Sequence, residues 1–220
     1  MVSNLKEGEL NEHGLPHNPR GICYVQEFPA PGLRRTVRNI TGHDAEGKEV
    51  FLSTDSGDHH TIMGEEQAVA NILYSTHETP VELNGDVDIK YAKNNLPPVH
   101  YHHGTVLRQI DFAPNELTPM HRALSIDYGV VLDGVFELIL GSGEKRIMRQ
   151  GDVTIQRATA HQWRNLTGGG TLPGRMLWIL LGVNDVIVNG KNLEGYMGPY
   201  KFITRSRTRR QERRRRQRRR

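Results

Sequence analysis

Two strand-like segments of this 220-residue sequence carry polar side chains at positions that an inward face would occupy. In His121–Gly134, HRALSIDYGVVLDG, residues His121, Ser125 and Asp127 fall at alternate positions. A strand turns every second side chain to the same side, so these three share a face. In Gly151–Asn165, GDVTIQRATAHQWRN, the same holds for His161, Trp163 and Asn165. A short glycine-bounded link joins the segments. Two imidazoles and a carboxylate on the inner wall of one small β-barrel could hold a divalent metal ion (Fe, Mn, Zn or Ni) with positions left open, the donor set favoured by non-haem iron oxygenases. Such an ion would stabilise enolate charge or, as iron, activate dioxygen. The alternative is a metal-free pocket lined by the same histidines.

Other side chains are candidates for binding substrate. Arg157 precedes His161 and could clamp a carboxylate or phenolate through its planar fork. Arg108 and Asp111 lie on one strand with opposite parity, so only one of them can face the cavity while the other joins an ion pair or supports the site. Trp163 shares parity with His161 and, with Trp178, could form an aromatic wall. Arg122 and Tyr128 alternate away from His121 and Asp127 and are expected on the outside. The run His100–His103, HYHH, follows Pro97–Pro98 and reads as a loop rather than a ligand set. No glycine-rich phosphate loop, dinucleotide fingerprint or nucleophile elbow is present. Cys23 sits in a proline-rich stretch and is not expected to be a nucleophile.

The elements that position these residues are short. Eleven prolines and 23 glycines favour turns over long helices. Residues 33–55 read as a hairpin or two successive strands, split by the turn Gly42–Gly47 and followed by a polar loop at Asp55–His60. Gly64–Ser75 fits both a helical stripe and a strand face, and its β-rich surroundings favour a strand. Thr105–Phe112 is a clear strand, Asp133–Gly134 marks a hairpin, and Glu144–Arg149 and Arg175–Val183 are further strands. Tyr196–Ile203 is expected as a final packed segment. Many short strands with regular turns imply an all-β barrel or two-sheet jelly roll. The expected layout is an N-terminal arm at 1–32, a barrel domain at 33–204 with its core at 105–183, and a tail at 205–220.

The net charge of +4 is a local property. Residues 205–220 hold eleven arginines and one glutamate, about +10 by charge counting, so the remainder is mildly acidic. A block of like charge with no apolar face is expected to be disordered. The body offers no basic-aromatic surface, so nucleic acid is not an expected partner. A single cysteine excludes an internal disulfide framework, and no apolar run is long enough to span a membrane. A cytoplasmic protein is expected.

The two key segments resemble the paired motifs of the cupin superfamily, whose small β-barrels usually bind a metal inside. His121 falls on the first histidine, Asp127 on the acidic position and Gly134 on the closing glycine of the first motif. Gly151, His161 and Asn165 match the second. The chain departs at Asn115 for the opening glycine, at Ala123 for the second histidine, and at Arg157 and Thr159 for the proline and glycine of the second motif. Over residues 30–185 the chain is similar to single-domain cupins of fungal polyketide gene clusters, described as oxidoreductases or as decarboxylase-like. That resemblance implies a cupin-type jelly roll and a homodimer. It also implies a tailoring reaction on an aromatic or pre-aromatic polyketide, centred on His121, Asp127 and His161. The reaction could instead be a redox-neutral decarboxylation, dehydration or cyclisation, or the barrel could be a non-catalytic binder.

Overall fold

The computed structural model describes residues 25, 27–64 and 67–198. Cys23 and the arginine-rich block lie outside the described residues. Thirteen strands are β1 (Arg38–His43), β2 (Glu49–Asp55), β3 (His59–Met63), β4 (Ala68–Thr76), β5 (Thr105–Phe112), β6 (Ser125–Asp133), β7 (Val135–Leu140), β8 (Lys145–Arg149), β9 (Val153–Arg157), β10 (His161–Asn165), β11 (Gly174–Gly182), β12 (Ile187–Val188) and β13 (Lys191–Asn192). Among the described residues one α-helix, α1 (Val87–Asn94), interrupts them.

Two antiparallel sheets form the barrel. The larger runs β3-β4-β5-β11-β6-β9 and the smaller runs β10-β7-β8. Bridges Leu117↔Arg164 and His121↔His161 lay the segment before β6 alongside β10, which widens the smaller sheet by one extended strip. The sheets face each other across a core that includes Phe112, Val131, Phe136, Trp163, Met176 and Trp178. This is the jelly-roll barrel expected from the spacing of strands and turns. Burying such side chains contributes roughly 1.5–3 kcal/mol each.

Asp133–Gly134 is not the hairpin its residues suggest. β6 pairs with β11 and β9, whereas β7 pairs with β10 and β8. Gly134, at φ 96°, turns the chain from one sheet to the other, and a side chain there would collide with Thr167. A β-turn dipeptide states that the chain reverses or bends, and only the pairing partners decide which. The hairpin across Gly42–Gly47 is formed as expected, by β1 and β2.

Of the segment Gly64–Ser75, the part from Ala68 onward is strand β4, buried along nearly its whole length between β3 and β5. The polar stretch Asp55–His60 is a loop only in part, since His59 and His60 open β3. Helix α1 was not anticipated. Its eight residues are too few for a periodic signal, and tertiary contacts hold it. Tyr74 donates to Asp88 Oδ2 at 2.5 Å, His77 stacks on Tyr91 at 3.7 Å, and Ala92 is buried. Before β1, Val25 and Ala30 are buried with Val69 and Ala113 in a second cluster on the outer side of β4 and β5. Of the expected final segment, Tyr196 pairs with Arg122, and residues from 199 onward lie outside the described ones.

Candidate active site in the barrel interior

His121 and His161 face each other through reciprocal backbone hydrogen bonds, each 2.9 Å long. Directly opposed residues of an antiparallel bridge project to the same side, and the imidazole centroids stand 4.3 Å apart at 53°. Each ring is oriented by its own chain. His121 Nδ1 bonds Pro119 O at 3.0 Å, and His161 Nδ1 bonds Thr159 O at 2.9 Å. A carbonyl only accepts, so both Nδ1 atoms carry the proton and both Nε2 atoms keep a lone pair. Burial lowers the pKa of both rings. His161 falls to about 4, its burial reinforced by the neighbouring His121. Both are neutral bases at neutral pH.

Asp127 lies on β6 in the larger sheet, buried, with Ser125 Oγ donating to its Oδ1 at 2.5 Å. Burial raises its carboxyl to about 6, against the opposing pull of Ser125 and Arg108. Arg108 on β5 is 6% exposed and turns inward, while Asp111 turns outward, as strand parity requires. Arg108 Nη2 donates to Val99 O at 2.5 Å and Pro98 O at 3.1 Å. Burial lowers its pKa to about 10, so it remains a cation.

These four polar groups line a cavity of about 80 Å³ whose other walls are mostly apolar: Met63, Ile110, Phe112, Trp163, Trp178 and Leu180 among them. The two indoles pack edge to face at 5.4 Å. Trp178 lies across Gly129 of β6, where a Cβ would come within 2.5 Å of the ring. Glycine is required there to admit the indole. Ala123, which replaces the second motif histidine, is buried in the cavity wall and contributes a methyl group rather than a donor.

His121, Asp127 and His161, the metal set expected from the sequence, all line this cavity. Among the described residues, no three His, Cys, Asp or Glu side chains group so as to hold a metal ion. The set divides into an imidazole pair and a carboxyl held by Ser125 beside Arg108. Shared strand parity placed all three on the inner face but carried no information about distance across the barrel.

Arg157 does not reach the cavity. It is exposed at the end of β9, and its inward neighbour Gln156, opposite Asp127, is buried instead. Parity is broken between Arg157 and His161 by Ala158, at φ 52°, so even-numbered residues point inward before the bend and odd-numbered ones after it. Asn165 is buried but structural. Its Nδ2 donates to Phe112 O, Ala113 O and Leu172 O, and its Oδ1 receives the N–H and hydroxyl of Thr167. Arg122 packs outside over Tyr196, Tyr128 is exposed, and none of His100, His102 and His103 lines the cavity. Met63, Val99 and Met197 complete the wall from distant parts of the chain. Their types carry no chemical signal, so only the fold reveals them.

A jelly-roll barrel with paired motif histidines facing an interior cavity defines a cupin. No family model matches the chain. It is 69% identical over 166 residues to the cupin-domain-containing oxidoreductase virC of Hypocrea virens, covering 76% of this chain and 86% of that protein. It is 40% identical over 178 residues to phomopsin biosynthesis cluster protein C' of Diaporthe leptostromiformis, covering 79% and 92%. Among solved structures, the Schizosaccharomyces pombe Cnp3 cupin domain aligns at a TM-score of 0.41 and 11% identity, over 68% of this chain and 90% of that one. The chain belongs to the family of cupin-domain-containing oxidoreductases. Among the described residues, no helix is long and apolar enough to cross a membrane.

Proposed function

We propose that this protein is a tailoring oxidoreductase of fungal secondary metabolism that takes an oxygenated aromatic or pre-aromatic polyketide intermediate into the barrel. The carrying observation is the pair of neutral, backbone-oriented imidazoles facing an otherwise apolar cavity. His161 Nε2, and His121 Nε2 beside it, accept a proton from a substrate hydroxyl or from a carbon next to a carbonyl. Asp127, titrating near pH 6, returns a proton in its acid form or takes one in its base form. The mostly apolar lining strengthens charge interactions inside. Imidazole, carboxyl and guanidinium groups are not two-electron acceptors, so redox turnover takes its electron carrier as a co-substrate or bound group.

Deleting the gene in its host and identifying the accumulated metabolite tests this reading. The expected compound is an aromatic or pre-aromatic polyketide two electrons away from the pathway product, and a His161→Ala copy fails to restore that product. Accumulation of a compound at the same oxidation level, larger by carbon dioxide or water, would replace the redox step with decarboxylation or dehydration. Restoration by the His161→Ala copy would refute catalysis at this cavity.

A further inference from the structure

The side chains that line the cavity carry more hydrogen-bond donors than the protein uses. Arg108 spends Nη2 on two carbonyls, but its Nε has no hydrogen-bond partner. The indole Nε1–H groups of Trp163 and Trp178 have none either. All three side chains line the same cavity, and each is more than nine-tenths buried, at 6%, 2% and 6% exposure. Buried donors left without acceptors are destabilising. Three of them, carried by side chains that line one small space and one belonging to a permanent cation, favour an electron-rich guest there.

We propose that Arg108 Nε and the indole N–H groups of Trp163 and Trp178 form a carboxylate-binding site, which makes the substrate a small carboxylic acid held by its anionic head. This rests on the reading of the cavity as the substrate site and specifies its substrate class. Three donors need at least three acceptor lone pairs. A carboxylate offers about four, spread over two separated oxygens that can meet donors from different walls, whereas a carbonyl oxygen offers two and a phenolate concentrates its own on one atom. The size agrees. A cavity of 150 Å³ accommodates about one benzene ring, and this one, at about 80 Å³, takes a head group of a few atoms. Arg108 also borders a second cavity of about 190 Å³, lined by Thr61, Ile72 and Leu96, so its side chain stands between the two spaces. Charge-assisted bonds from guanidinium and N–H to carboxylate are about twice as strong as neutral ones, so a neutral isostere should be discriminated against.

The protein reports its own occupancy, because its only two tryptophans are the two in the cavity. Titrating the full chain with benzoate and with its neutral isostere benzamide, followed by tryptophan emission, is the experiment. Benzoate is expected to give a saturable change with roughly ten-fold or greater preference over benzamide. Arg108→Met should erase that preference. Arg108→Lys should retain part of it, which separates loss of the cation from loss of fold, and circular dichroism checks the Met variant. Arg157→Met, at the exposed arginine, should leave both isotherms unchanged. Equal affinity for benzoate and benzamide, persistence of the preference in Arg108→Met, or no saturable binding of benzoate would each overturn the carboxylate site. None of these outcomes alters the His161-dependent restoration of pathway product, which stands or falls separately.

Discussion

Two buried arginines on neighbouring strands meet opposite fates. Arg175 and Asp111 are direct register partners across β11 and β5, on the outer side. Their forks close at 2.6 and 2.8 Å, Asp111 also accepts the Ala30 N–H, Arg175 also donates to Arg34 O, and the guanidinium lies 4.7 Å over Phe28. Arg108 and Asp127, on the inner side, are separated by β11, with Arg108 opposite Trp178 and Asp127 opposite Leu180. That offset leaves Arg108 to two carbonyls and Asp127 to Ser125. The outer pair is complete and serves as scaffold. The inner pair is incomplete, and that incompleteness is what makes it a site.

The sharpest way to break the comparison is to remove one partner from each. Asp111→Ala strands Arg175 as an uncompensated buried cation, expected to cost about 3–5 kcal/mol in urea denaturation. Arg108→Met removes a cation that was never fully paired and puts an apolar chain beside apolar walls, so its stability should stay within about 1 kcal/mol of the parent. Equal losses in the two variants would erase the distinction between scaffold and site.

The inner site should instead reveal itself in turnover. His161→Ala is expected to lower kcat/KM by about a hundred-fold or more, the usual contribution of a positioned base. Thermal unfolding should show the folded state retained, since the backbone bridge to His121 does not depend on the side chain.

Acid titration separates the inner groups by sign. His161 falls from its ordinary value to about 4, so between about 4 and 6.5 the unfolded chain binds the extra proton. Its contribution is full above pH 6.5 and is lost as pH falls towards 4. Asp127 rises from 3.8 to about 6, so in that window the folded chain holds the extra proton. Its contribution is full below pH 3.8 and is lost as pH climbs through 6. Each amounts to roughly 3 kcal/mol and they oppose each other. His121, also lowered, adds to the His161 side. Asp127→Asn should therefore steepen the loss of stability between pH 6 and 4, and His161→Gln should flatten it. Chemical denaturation at several pH values reads both slopes, and parallel profiles for the two variants would refute the assignment.

Much of this was legible in the chain. Period-2 placement put His121, Asp127, His161 and Trp163 on inner faces, and the opposite parity of Arg108 and Asp111 put them on opposite faces without saying which was the inner one. Distances across the barrel were not legible, because parity defines a face and says nothing about how far apart two strands of that face lie. Hence Asp127 could not be separated from the imidazoles in advance. Nor could the sheet change at Gly134, since a glycine turn is the same dipeptide whether the next strand pairs with the previous one or leaves it.

Arg157 gives the smallest expected effect and the strictest test of reading position from geometry rather than motif. Its place ahead of His161 suggested a clamp, but the positive φ of Ala158 shifts the inward face between them and leaves the guanidinium in solvent. An exposed arginine with no resolved role in the cavity contributes little to stability. Arg157→Ala should thus leave turnover within about two-fold of the parent and stability within about 0.5 kcal/mol. A hundred-fold fall in kcat/KM in that variant, matching His161→Ala, would mean that the rim of β9 folds over the cavity during turnover, and Gln156 would then have to give up its inward place.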